Sequence, residues 1–180
     1  AYTSFDETVY MLNVPTDSEG KIDTGLLVLE DWAQGALLTE EEIDKERGVV
    51  YEEYRIGLGP DERMRTEYFP KLLYQSRYAE RLPIGKGEII QNCEYDAIRR
   101  FYRDWYRPNL MAVAIVGDID VDVMEKKVIQ QFSKLKNPAN PRERIDYPIP
   151  NHKETFISVQ SDPEASYTML QIVYKDPEPA

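Results

Sequence analysis

Thr39-Glu40-Glu41-Glu42-Ile43-Asp44-Lys45-Glu46-Arg47-Gly48-Val49-Val50-Tyr51-Glu52-Glu53-Tyr54-Arg55-Ile56 is the stretch on which the reading of this chain turns. Thr39 with Glu42 three residues on is a capping-box pattern, in which the two residues can satisfy each other's free backbone N–H groups. The helix it opens is predicted to run to Ile56, where Gly57 and Gly59 stop it. At about 100° per residue, Glu46 and Glu53 point within roughly 20° of each other. Both are expected between Val49 on one side and Ile43 with Val50 on the other, interrupting a core-facing surface. A carboxylate held at the edge of an apolar face is costly unless an arginine, a backbone donor cluster or a metal neutralises it. The simpler alternative is a solvated face, because Glu40, Glu41, Glu42, Asp44 and Glu52 make the whole helix acidic.

Upstream, Ala1-Tyr2-Thr3-Ser4-Phe5 and Thr8-Val9-Tyr10-Met11-Leu12 are rich in β-branched and aromatic residues and read as a hairpin turning at Asp6-Glu7. A helix is expected over 23–34, with Leu26, Leu29 and Ala33 at helical spacing. Downstream, Pro60 suits a first helical turn and opens a helix to about Tyr74. Residues 79–92 read as an ordered loop. Asn92 is expected to cap a helix from Glu94 to Tyr106, broken by Pro108. Leu110 to Val116 reads as the best buried strand, and 121–135 as a last long helix. Seven of the twelve prolines lie from Pro138 onward, so 137–152 reads as a semi-extended linker. Two further strands, 155–160 and 166–174, look like the first hairpin of a second unit. The mixture is α+β.

The 180 residues hold 33 acidic and 22 basic side chains, a net charge of −11, and 42% are apolar. That is enough apolar material for a globular core. The charge argues against nucleic-acid binding, since phosphates repel such a surface. A single cysteine, Cys93, excludes an internal disulfide, and a single histidine, His152, excludes any site that needs two histidines from these residues alone. The sequence contains no membrane span, since its longest apolar run, Leu110 to Val116, is far too short for one. Gly85-Lys86-Gly87 lacks the spacing of a phosphate loop, Ser4 beside Asp6 has no histidine to complete a triad, and Asp104 with Arg107 reads as a surface pair. His152 is expected to be solvated or packed.

Four separated motifs, in order, carry a family resemblance: Ala1-Tyr2-Thr3-Ser4-Phe5 with Glu7-Thr8-Val9-Tyr10; Glu46-Arg47-Gly48-Val49-Val50-Tyr51-Glu52-Glu53; Phe101-Tyr102-Arg103-Asp104-Trp105-Tyr106-Arg107-Pro108-Asn109; and Val113 through Gly117-Asp118. Arg81-Leu82-Pro83-Ile84-Gly85 adds a fifth stretch. Together they resemble the insulinase/pitrilysin zinc metallopeptidases, in particular the long bacterial ones. The resemblance implies a sandwich like that of the mitochondrial processing peptidases, a mainly antiparallel sheet with helices packed on it, truncated here at its N-terminus. It implies residues 1–136 as the later part of a first peptidase domain, 137–152 as linker, and 153–180 as the start of a second domain of the same type. It also implies Zn²⁺, bound by two histidines of an H-x-x-E-H motif whose glutamate activates water, with a third ligand roughly 75 residues downstream. The last residue of the Glu46–Glu53 pattern is that ligand, so Glu53 is the implied metal ligand. Glu46 is the implied supporting carboxylate behind a zinc-bound histidine. Ala1, Tyr2 and Thr3 resemble the edge strand to which substrate peptides add as an extra strand.

The departure from the family is equally plain: no H-x-x-E-H occurs in this sequence. Counting back from Glu53 places it roughly two dozen residues before Ala1. The chain therefore reads as a piece of a metalloendopeptidase with no general base of its own, inactive alone. Its implied partners are peptide substrates and the remainder of its own chain or a homologous half, and the implied location is the bacterial periplasm or cell envelope. Two alternatives stand beside this reading. One is a non-catalytic, peptide-binding or scaffolding family member. The other is a simple structural domain, which predicts Glu46 and Glu53 fully exposed.

Overall fold

Helix dominates the computed structural model, which describes residues 1–175; positions 176–180 of the expected second domain lie outside the described residues. The helices are α1 (Glu19–Glu30), α2 (Glu40–Ile56), α3 (Pro60–Leu72), α4 (Gly87–Asn92), α5 (Tyr95–Trp105) and α6 (Val121–Phe132). A π-helical turn, Asp31–Gly35, extends α1, and short 3₁₀ turns occupy Arg77–Glu80 and Pro108–Leu110. The two strands β1 (Tyr2–Thr3) and β2 (Thr8–Val9) form a two-stranded sheet. The described residues pack as two compact units, one of residues 1–2, 8–45 and 93–144, the other of residues 3–7, 46–92 and 145–175.

Local chemistry explains the helix starts. Thr39 Oγ1 accepts from the backbone N–H of Glu42 at 3.3 Å, forming one half of the capping box. The Glu42 carboxylate turns away to Lys45 at 2.8 Å, so the reciprocal half is replaced by an ion pair. Pro60 stands in the first turn of α3, where its missing N–H costs nothing. Asp120 caps α6 by accepting from Val123 N–H at 2.9 Å.

In the first unit α1 packs on α6, with Leu26 and Met124 buried. Lys127 reaches Asp23 at 2.6 Å and Lys134 reaches Glu30 at 3.6 Å across the pair. The π-helical turn is closed by α5: Tyr102 Oη donates to Trp32 O at 2.9 Å and accepts from Ala36 N–H at 3.2 Å. Gln34 brackets the same corner, donating to Tyr106 O at 3.2 Å and Lys136 O at 3.0 Å. In the second unit, Arg47 of α2 donates to Ile90 O of α4 at 3.0 Å. Arg63 of α3 grips Asp162, and Leu73 is buried.

Several sequence expectations need correction. The mainly antiparallel sheet is not formed by the described residues. Leu110–Val116, read as a buried strand, is irregular after its 3₁₀ start, and Val116 is 96% exposed. The segments 155–160 and 166–174 are likewise without strand pairing, and Leu170 is 88% exposed. A β-rich, apolar composition becomes a strand only where a neighbouring edge accepts its N–H and C=O groups, and among the described residues none pairs with these segments. The loop expected at 79–92 contains α4, whose last residue is Asn92. Asn92 does not cap α5: its side chain donates back to Glu88 O at 2.9 Å, and Glu94 precedes α5 instead. Asp104 and Arg107 are not a surface pair. Arg107 is 3% exposed and donates to Arg142 O at 2.7 Å, while Asp104 lies 3.7 Å from Arg142.

Candidate functional site

α2 carries both carboxylates singled out from the sequence, and both lie in the second unit. Glu46 and Glu53 are exposed. The side they share is open, because Val49 is 61% exposed and Ile56 82% exposed, whereas Ile43 is the buried residue of the helix. The expected position at the edge of a covered apolar face is therefore corrected: the apolar residues beside Glu53 face outward. Gly48, Val49, Glu52, Glu53 and Ile56 line a shallow, open groove there. Gly48 leaves its floor open, with nothing within 4 Å of where a Cβ would stand.

Pairing separates these two acids from the others on α2. Glu40 lies 3.9 Å from Arg99, Glu41 and Glu42 lie 2.9 and 2.8 Å from Lys45, and Glu52 lies 3.3 Å from Arg55. Asp44 accepts from the Tyr95 hydroxyl at 2.8 Å. Among the described residues, the side chains of Glu46 and Glu53 have no such partner. Sequence spacing had named both; it could not show that their acidic neighbours are each neutralised locally and they are not.

The residues present do not by themselves fit zinc. A catalytic zinc site needs three protein ligands, and the described residues hold no group of three or more His, Cys, Asp or Glu side chains placed to bind a metal. His152 is engaged elsewhere. Its Nδ1 lies 2.7 Å from Glu154 O, and its ring stacks on Phe156 at 4.2 Å and meets Tyr74 edge-on at 5.7 Å. Of the two roles expected of it, solvated or packed, His152 takes the packed one.

Ala1, Tyr2 and Thr3 are exposed, with Tyr2–Thr3 forming β1. The turn after β1 is closed by Ser4 N–H donating to Glu7 O at 2.8 Å. The strands are two residues long, shorter than the five-residue segments read from composition. Sequence reasoning missed what holds this turn. Phe5 packs on Tyr78 at 4.8 Å between ring centroids, and Tyr78 Oη donates to Asp6 Oδ2 at 2.7 Å. No local signal links residues 5 and 78, which meet only through the tertiary packing.

Two family profiles cover most of the sequence. Residues 1–80 match the profile described as "Insulinase (Peptidase family M16)", and residues 92–179 match the "Peptidase M16 inactive domain". The chain belongs to the insulinase (M16) peptidase family. It is 33% identical over 178 residues to "Zinc protease PQQL-like" of Arabidopsis thaliana, covering 98% of this chain and 19% of that protein. It is 37% identical over 152 residues to "Probable zinc protease PqqL" of Haemophilus influenzae, covering 83% and 16% respectively. The crystal structure of the first half of the periplasmic protease PqqL from Escherichia coli superposes with a TM-score of 0.76 at 32% identity, over 84% of this chain and 32% of that one. The chain thus spans about a fifth or less of the length of these curated relatives. Among the described residues no helix is long and apolar enough to cross a membrane.

Proposed function

We propose that this chain is a section of a zinc metalloendopeptidase in which Glu53 supplies one carboxylate ligand to the metal. Glu46 supports a metal-bound imidazole from the same helix face, and Ala1 to Thr3 form the edge along which a peptide substrate lies. The observation that carries this reading is the pairing pattern on α2. The two acids that match the family's metal-side positions are exposed and unpartnered among the described residues, while the acids around them are paired. Open carboxylates a helical turn-pair apart on one face can receive a metal and an imidazole without first breaking a salt bridge.

β1 lies at the edge of its two-stranded sheet, the geometry that strand addition by an extended peptide requires. The sequence holds no H-x-x-E-H; in this reading the intact protein supplies that motif, and the 180 residues alone are inactive. The domain limits follow the same reading: 1–136 from a first peptidase domain, 137–152 linker, 153–180 opening a second. The likeness to a periplasmic protease supports a periplasmic location and a second, homologous half as partner.

Elemental analysis of the intact protein tests the assignment. Near-stoichiometric zinc in the parent and a clear fall in Glu53→Gln is the expected result; unchanged zinc in the variant overturns Glu53 as ligand. Zinc-dependent peptide hydrolysis by the 180-residue chain alone would also overturn the mapping. A second reading, a non-catalytic family member, is favoured by the description of the profile matched over 92–179 as an inactive domain. Absence of zinc from the intact parent protein selects it.

A further inference from the structure

A two-residue strand holds its place weakly, because short two-stranded pairings are marginal in water. β1 therefore needs an anchor outside its own ladder. The turn that follows Thr3 has one, and it is aromatic. Tyr78 stands in the 3₁₀ turn Arg77–Glu80, whose cap, the buried Ser76, accepts from Tyr78 N–H at 3.4 Å. One face of the Tyr78 ring meets Phe5 at 4.8 Å and its hydroxyl donates to Asp6 at 2.7 Å. On another side Tyr147 meets it edge-on at 6.4 Å. Tyr147 is itself fixed by Arg77, which donates to its hydroxyl at 2.6 Å and lies over its ring at 4.9 Å. The phenol is thus held from three directions, and its hydrogen bond to Asp6 pushes its pKa up to about 12.

We propose that Tyr78 is a positioning residue for peptide binding: by gripping Phe5 and Asp6 it fixes the turn after Thr3 and so presents β1 in the register an added strand requires. The inference rests on the reading of β1 as the substrate edge. Strand addition draws its affinity from backbone hydrogen bonds, so an unanchored β1 must be ordered by the substrate itself, and that ordering is subtracted from binding. The effect falls on long peptides that pair along β1, whatever their side chains, and spares peptides too short to reach it.

The test uses the intact protein with Tyr78→Phe, which keeps the ring contact and removes the hydrogen bond, and with Asp6→Ala and Asp6→Asn. Expected for Tyr78→Phe and Asp6→Ala is a KM for long peptides raised about threefold to tenfold. Their kcat and zinc content should match the parent, with short peptides unaffected and amide exchange of residues 2–9 faster. Asp6→Asn keeps an acceptor for the phenol and should restore the parent KM. Unchanged KM and unchanged exchange in Tyr78→Phe overturn the proposal. A parent with zinc-free, inactive protein overturns the peptidase reading instead. The exchange of residues 2–9 then decides Tyr78 by itself: faster exchange sustains its positioning role, and unchanged exchange removes it.

Discussion

Arg63 holds Asp162 through two parallel hydrogen bonds, Nε to Oδ2 at 2.7 Å and Nη2 to Oδ1 at 2.8 Å. The fork geometry of guanidinium on carboxylate makes this a directional contact, and it ties α3 to the turn at Asp162-Pro163. Glu164 adds a second carboxylate, 2.5 Å from Nη2. The Asp162 backbone carbonyl and side chain also accept from Ala165 and Glu164 N–H groups, which closes the turn.

Asp162 is accordingly predicted to titrate abnormally. The Arg63 guanidinium, and then the Glu164 N–H, lower its pKa to about 2. A carboxyl depressed in the folded state contributes stability above its unfolded pKa, and the contribution is lost as pH falls through the folded value. The contact should therefore persist through mildly acidic pH and fail only between about 4 and about 2. Carboxyl NMR should find Asp162 near the bottom of that window, and Arg63→Gln should return it to the ordinary aspartate range. An ordinary value in the parent would show that the fork does not hold in solution.

Glu46→Gln and Glu53→Gln should leave the folding stability of this chain within about 0.5 kcal/mol of the parent, because exposed side chains away from structural contacts rarely matter more. Both residues are exposed and have no partner among the described residues. Urea unfolding checks it. Neutral stability beside a loss of zinc in the intact protein separates a functional carboxylate from a structural one, whereas a large stability loss would mean that the acids serve the fold. Exposure is also what a simple structural domain predicts, so the metal measurement, not burial, discriminates.

Helices were legible from the sequence wherever their signals are local. α2 starts at its Thr39 cap and ends at Ile56 as read, α3 begins at Pro60, and α6 begins after Asp120. Each boundary depends on chemistry within four residues. The strands were not legible, because Leu110–Val116 and 166–174 have the composition of strands but the state of a strand is decided by a neighbour's backbone. α4 was missed for a related reason. Six residues starting at Gly87 carry no periodic signal, and what holds them is the Arg47 bond to Ile90 O and the seat of Gly87 on Tyr54, both set by tertiary packing. For the proposed site, spacing placed Glu46 and Glu53 on one side of a helix, and both do lie on α2. The Tyr78 anchor was not legible, since its partners lie some seventy residues away in sequence.

Thr39→Ala should cost about 1 kcal/mol, the usual worth of a helix N-cap. Only half of the capping box is present, since Glu42 is drawn to Lys45, so Thr39→Asp should be tolerated while Glu42→Ala should cost less than Thr39→Ala. Thermal unfolding of the three variants ranks them. Equal losses for Thr39→Ala and Glu42→Ala would show that the reciprocal bond forms in solution.

Gly87 is the most restrictive glycine near α2. A Cβ at this position would stand 2.7 Å from Tyr54 Cε1 and 3.2 Å from its Cζ. The Tyr54 ring is half-buried and stacks on Tyr51 at 6.0 Å between centroids. Gly87→Ala must therefore move either α4 or the tyrosine pair, and overpacking of this kind costs about 1–3 kcal/mol. Shrinking the obstacle tests the cause: Tyr54→Leu should recover part of that loss in the Gly87→Ala background, giving a positive coupling in a double-mutant cycle. Additive losses would assign the cost of Gly87→Ala to the backbone rather than to the ring.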